Sequence, residues 1–200
     1  MLRYIADCHF GHENVIKYDN RPFKDIDEMD RKMVELWNDH VSNEDTVFIL
    51  GDFVWKGFRS WYDIVKNLNG HLVFVKGNHD KVETITNICA HFKNMEYAGE
   101  QTTVIDNDRH VVLNHCPMPC YPNSYHGWYH LYGHVHVSFD YNVILSTQRS
   151  LESLYMTKFK MFNVGAMLIG YYPRTLDEIE TIFKNREAIE ELPLTNNKEN

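Results

Sequence analysis

Two hundred residues of which 44% are hydrophobic suffice for one compact domain with a sizeable core, and they exclude wholesale disorder. The formal charge of −8, from 28 acidic and 20 basic residues, argues against long nucleic acid as a partner, because clamping it needs a basic stripe that displaces counterions. A small anionic ligand is still compatible, since one local cationic centre can outweigh the surrounding field.

In chain order, the apolar stretch within MLRYIADCHF is too short for a signal segment or a membrane span, so a cytoplasmic protein without membrane association is expected. LRYIA (2–6) reads as the first strand. Asp25 and Glu28 make a capping-box-like start to a helix whose stripe is Ile26, Met29, Met33, Trp37 and Val41. TVFIL (46–50) is a second strand; Ser60 then caps a helix carrying Trp61, Ile64, Val65 and Leu68, which Gly70 stops. Further β-rich runs are HLVFV (71–75), TTVID (102–106), HVVLN (110–114), LYGHV (131–135) and KMFNV (160–164). Thr175 and Glu178 form a capping box before Ile179, Ile182, Phe183 and Ile189. LPLTNNKEN reads as a polar tail over 192–200, leaving one domain over 1–191. Strands alternating with helices predict an α/β domain, more hairpin-rich after residue 100. The four cysteines form no CxxC pair and read as reduced thiols.

Twelve histidines are present, and their placement is informative. Each of the first three strands runs straight into ligand-type residues: Asp7-Cys8-His9, Gly51-Asp52, and Gly77-Asn78-His79-Asp80. Later, VVLN leads into His115, and LYG leads into His134-Val135-His136. Open α/β sheets bind ligands beyond the carboxyl ends of their strands, where such turns converge. Alternation along an extended chain would point Asp7 and His9 one way and Cys8 the other, and likewise His134 and His136 against Val135. Gly51, Gly77 and Gly133 each precede a candidate ligand, where a missing side chain lets the backbone turn.

The ordered set D-x-H, GD, GNHD, a lone His after a strand, and GHxH, spanning Asp7 to His136, resembles the calcineurin-like metallophosphoesterase superfamily. NVG at 163–165 with its closing helix resembles the end of compact bacterial and phage members, and HFGHENVIKYDNRPF resembles one small phosphoesterase subgroup. The resemblance implies an α/β sandwich of two mixed β-sheets flanked by α-helices, with a two-metal site at one edge. It implies one divalent ion on Asp7, His9, Asp52 and His136, and a second on Asp52, Asn78, His115 and His134, with Asp52 and a water or hydroxide as bridges. It further implies a metal-dependent phosphoric ester hydrolase in which metal-activated hydroxide attacks phosphorus in line. His79 would stabilise charge on the phosphoryl oxygens and leaving group, and Asp80 would fix the loop or the imidazole.

Four imidazoles, two carboxylates and an amide, without a thiolate, suit Mn, Fe, Zn, Co or Ni, with manganese placed first. Two divalent ions against two carboxylates leave a surplus of about +2, which a hydroxide and a phosphodiester monoanion neutralise. A monoester dianion overshoots unless His79 or Arg21 offsets it, so the count leans toward a small nucleotide-like diester as substrate, with a phosphomonoesterase as the alternative. A catalytically silent, metal-bound interaction protein is a third reading. His12, Asn14 and Arg21 are candidate substrate contacts, Arg21 through a bidentate fork. The Pro-, Tyr- and His-rich segment 116–130 would wall the cleft, its rings either stacking on a nucleobase or packing the loop itself.

Overall fold

The computed structural model describes residues 1–55 and 57–187. Strands β1 (Leu2–Ile5), β2 (Thr46–Leu50), β3 (His71–Val75) and β4 (Met95–Tyr97) lie side by side in that order, all parallel. TVFIL and HLVFV form strands with the bounds expected of them, and each is buried at four of five positions. A parallel strand covered on both faces favours such continuous apolar runs.

The second sheet has the order β5 (Gln101–Asp106), β6 (Arg109–Asn114), β7 (Tyr129–Tyr132) and β8 (Lys160–Asn163). β5 and β6 form a hairpin about Asn107 and Asp108, whose φ of 49° and 64° are the left-handed values a two-residue turn requires. β7 and β8 then add in parallel, so this sheet is mixed and the expected hairpin-rich region contains one hairpin. The first sheet is mixed only through an antiparallel bridge between Tyr4 and Arg174. The sheets meet beyond β1, where the Ala6 N–H donates to the Val164 carbonyl and the Ala166 N–H donates to that of Ala6, at 2.9 and 2.8 Å.

Helix α1 (Glu13–Tyr18), which the sequence reading did not include, follows β1 with His12 as its N-cap. Helix α2 (Ile26–His40) starts at Asp25, whose carboxylate accepts from the Glu28 N–H, while Glu28 reaches back to the N–H of Lys24. Met29, Met33 and Trp37 are its buried stripe; truncating Trp37 to alanine would cost about 3–5 kcal/mol. Helix α3 (Phe58–Val65) is capped by Gly57, three residues before the hydroxyl expected to cap it, so Ser60 lies inside the helix. It ends at Val65, well before Gly70, whose own role is a left-handed turn into β3 at φ 100°.

Three helices that no motif signalled complete the layers: α4 (Val82–His91), α5 (Phe139–Tyr155) and the short α6 (Ala166–Ile169). Helix α7 (Leu176–Glu187) opens on the expected capping box: the Thr175 N–H donates to Glu178 at 2.8 Å, and the Glu178 N–H donates to the Thr175 hydroxyl at 3.3 Å. Ile189, the tail over 192–200 and the stretch 188–191 lie outside the described residues.

Candidate metal centre

All seven candidate ligands sit just beyond the carboxyl ends of β1, β2, β3, β6 and β7, and five of them are not on extended chain. Asp7, His9, Asp52, His134 and His136 have φ of 53°, 52°, 50°, 72° and 40°. Alternation along a strand is therefore not what aims them, and β7 stops at Tyr132, before the histidines. Left-handed backbone costs a non-glycine residue of the order of 1–3 kcal/mol, so it persists only where surrounding bonds over-determine it. Such bonds are present: Asp7 N–H donates to the Gly51 carbonyl at 3.1 Å, His9 N–H to that of Asp52 at 3.0 Å, and His134 N–H to the Asp7 carboxylate at 2.9 Å. The expected facing nonetheless holds, because Cys8 and Val135 are buried in the core.

The donor atoms of Asp7, His9 and His136 lie within 4.8 Å of one another, and so do those of Asp7, Asp52 and His115. His9 and His136 bring their Nε2 atoms to 3.2 Å, and His9 Nε2 is 3.9 Å from the Asp52 carboxylate. On the other side, the Asn78 Oδ1 lies 2.8 Å from His115 Nε2 and 2.9 Å from His134 Nδ1, and His115 Nε2 is 3.6 Å from Asp52 Oδ2. Asp7 thus borders both groups, as Asp52 does.

These residues fit a pair of cations. Asp7 Oδ1 is buried with no hydrogen-bond partner, and a buried carboxylate oxygen left bare is costly unless something positive meets it. Burial pushes the Asp7 carboxyl up and the His9 imidazole down to about 2, so His9 is neutral and has a lone pair to give. His115 Nδ1 donates to the Leu50 carbonyl at 2.8 Å, which directs the Nε2 lone pair at the cluster. His136 Nδ1 lies 2.7 Å from Asp19, which does the same for its Nε2. Burial opposes charge on His136, but that hydrogen bond and the Asp7 and Asp19 carboxylates outweigh it and raise its pKa.

Two of the three glycines serve for space and not for turning. Gly51 is left-handed at φ 83°, and a Cβ there would sit 2.5 Å from His115 Nδ1. Gly77 and Gly133 have no positive φ; a Cβ on them would run into the carboxylates of Asp52 and Asp7 respectively.

His79 stands beside the cluster, its side chain 47% exposed, with Nε2 3.9 Å from Asp52 Oδ2. Its backbone N–H donates to Asp52 Oδ1 at 2.9 Å. Asp80 lies behind, accepting from the N–H groups of Asp52 at 2.8 Å and Gly77 at 2.9 Å, so it fixes the loop and does not meet the imidazole. His12 accepts the Val15 N–H on Nδ1 at 3.0 Å, and Asn14 is exposed on α1.

Arg21 departs from expectation. Its side chain is wholly buried, with Nε and Nη2 on Asp19 Oδ2 at 2.9 and 2.8 Å, Nη2 also on the Asp7 carbonyl, and Nη1 on the Cys8 carbonyl. The guanidinium braces the ligand loop from behind instead of offering a fork to phosphate. The rings of segment 116–130 pack on their own surroundings: Tyr121 on Phe159 and His130, Tyr125 on Tyr155, and Trp128 on His110. Sequence reasoning missed Asp19, which lies inside the quoted stretch HFGHENVIKYDNRPF two residues before Arg21, and Trp55, three after Asp52, which lies outside every quoted motif.

A family model described as calcineurin-like phosphoesterase matches residues 4–106. MJ1445 of Methanocaldococcus jannaschii is 31% identical over 189 residues, 92% of each chain, and the gene 66 protein of Mycobacterium phage D29 is 35% identical over 81 residues, 39% of each. The fold is similar to that of AQ665 from Aquifex aeolicus, with a TM-score of 0.66 and 22% identity over 91% of this chain and 98% of that one. A structure of an archaeal phosphodiesterase aligns with a TM-score of 0.42 and 20% identity, over 66% of this chain and 71% of that one. The chain belongs to the calcineurin-like phosphoesterase family and is a metal-dependent phosphoric ester hydrolase.

Proposed function

We propose that this hydrolase acts on a phosphodiester of a small, nucleotide-like molecule. The observation that carries the reading is the orientation of Arg21: one of the two cations that could have offset a monoester dianion is buried against Asp19 and backbone carbonyls. A site of two divalent ions, two carboxylates and a hydroxide would carry about +1, which then matches a monoanion better. One ion would be held by Asp7, His9, Asp52 and His136, the other by Asp52, Asn78, His115 and His134, manganese being placed ahead of Fe, Zn, Co and Ni. Such ions supply Lewis acidity at the phosphoryl group and lower the pKa of water toward neutrality.

The chain's own residues do the rest. His79, anchored through its backbone on Asp52, holds a proton against the phosphoryl or leaving oxygen. Asp80 keeps the GNHD turn seated on the Asp52 loop. His12, whose Nδ1 is occupied, carries its proton on Nε2 and offers that donor to the substrate, with Asn14 on the same helix as a more peripheral contact. No helix among the described residues is long and apolar enough to cross a membrane; the four free cysteines suit a cytoplasmic location.

The test is a parallel assay of bis-p-nitrophenyl and mono-p-nitrophenyl phosphate with protein loaded in turn with each of the five metals. Faster turnover of the diester is expected. A faster monoester overturns the substrate reading, and absence of turnover with every metal favours the silent interaction protein.

A further inference from the structure

A row of aromatic rings leads outward from the metal centre. It begins at His79, beside Asp52, continues to Trp55 at 4.9 Å between centroids, then to His12 at 3.8 Å, and ends at Tyr18 at 6.3 Å. His9, a candidate metal ligand, lies 6.4 Å from the same indole. Despite these neighbours Trp55 is 44% exposed and Tyr18 is 67% exposed. The main chain that carries the indole is tied down, since the Trp55 N–H donates to the Phe10 carbonyl at 2.9 Å and Val54 bridges Phe10. The row is therefore a partly exposed set of ring surfaces that starts beside the candidate metal ligands.

We propose that Trp55, flanked by His12 and Tyr18, is the subsite for a planar heteroaromatic group on the phosphate ester, of nucleobase type. The proposal rests on the phosphoesterase reading and narrows its substrate class. An aliphatic or sugar-only ester would leave these rings in water, whereas a base has a π face to lay on the indole. It also has ring nitrogens or carbonyls that can accept from His12, whose Nε2 carries the proton because Nδ1 accepts from Val15. The specificity element would thus lie in the β2–α3 loop and helix α1, and not in segment 116–130, whose rings are engaged elsewhere.

The test uses the metal-loaded protein and two probes that share phosphate and ribose and differ by the base: AMP and ribose 5-phosphate, with dissociation constants read by calorimetry. The wild type should prefer AMP by about tenfold, within the range for one stacked base. Trp55→Ala should bring the ratio of the two constants close to one, and Trp55→Phe should retain part of it. A wild-type ratio near one, or a tenfold ratio that survives Trp55→Ala, overturns the subsite. The diester preference is judged separately by the two nitrophenyl assays, so either idea can fail while the other stands.

Discussion

Asp19→Asn tests how the centre is held in register. In the wild type one carboxylate serves two donors: Oδ1 faces His136 Nδ1 at 2.7 Å, and Oδ2 takes both Nε and Nη2 of Arg21. Burial works to raise the Asp19 carboxyl, but His136 and Arg21 overcome it and hold its pKa below the usual value, so it is ionised. An asparagine has only one acceptor. The buried guanidinium needs it for two bonds, so the amide NH2 must face His136. Donor against donor is repulsive, and the imidazole answers by moving its proton to Nε2, the atom 3.2 Å from His9 Nε2 and 3.6 Å from Asp7. The lone pair a cation needs is then gone. Losing such an outer hydrogen bond typically weakens metal binding about 10- to 100-fold, about 1.4–2.7 kcal/mol. Competition titration against a chelator measures this. Asp19→Ala is the control: it strands Arg21 and should lose more stability, about 3–5 kcal/mol, but it imposes no tautomer. If the asparagine variant binds metal within twofold of wild type, or more tightly than the alanine variant, the tautomer argument is wrong.

Three further outcomes are expected. Gly133→Ala puts a methyl group against Ala6 and the Asp7 carboxylate, so elemental analysis should find metal lost and calorimetry a stability loss of about 1–3 kcal/mol; full occupancy would count against the tight packing described. His79→Ala should keep both metals and its melting temperature while turnover falls about 10²–10⁴-fold; undiminished turnover would remove His79 from the chemistry. His130 is buried and neutral, donating from Nδ1 to Val112 and accepting the Met118 N–H on Nε2, and burial lowers its pKa to about 4. A depressed histidine pKa means that the unfolded chain binds the proton first, so stability is whole above about pH 6.5 and declines as pH falls toward 4. By pH 4.5 about 2–3 kcal/mol should be lost through this residue, and chemical denaturation of His130→Gln should show a correspondingly shallower acid slope.

The parallel strands were legible because burial on both faces leaves β-branched and aromatic runs such as TVFIL and HLVFV, with ligand-type residues at their ends. Helix α5 was not, since Phe139, Val143 and Leu154 are exposed and Tyr141 is its buried residue, so no apolar stripe stands out. The ligand types were legible as a pattern, but the left-handed backbone that aims them was not; it is imposed by bonds between loops far apart in sequence. The role of Asp19 was hidden for the same reason although it lies inside HFGHENVIKYDNRPF, its histidine being 117 positions away. Arg21 was misdirected because an arginine near a phosphate site reads as a ligand, whereas here its fork closes on main-chain carbonyls. Trp55 was passed over because a tryptophan beside a strand reads as core.

The candidate ligands are drawn from both sheets: Asp7, His9, Asp52 and Asn78 from turns of the first, His115, His134 and His136 from turns of the second. Cations held by all seven would make metal binding and cohesion of the two halves a single equilibrium. Stripping the ions should unlatch the seam along Ala6 and Gly165 before either sheet melts, and amide exchange there should quicken first.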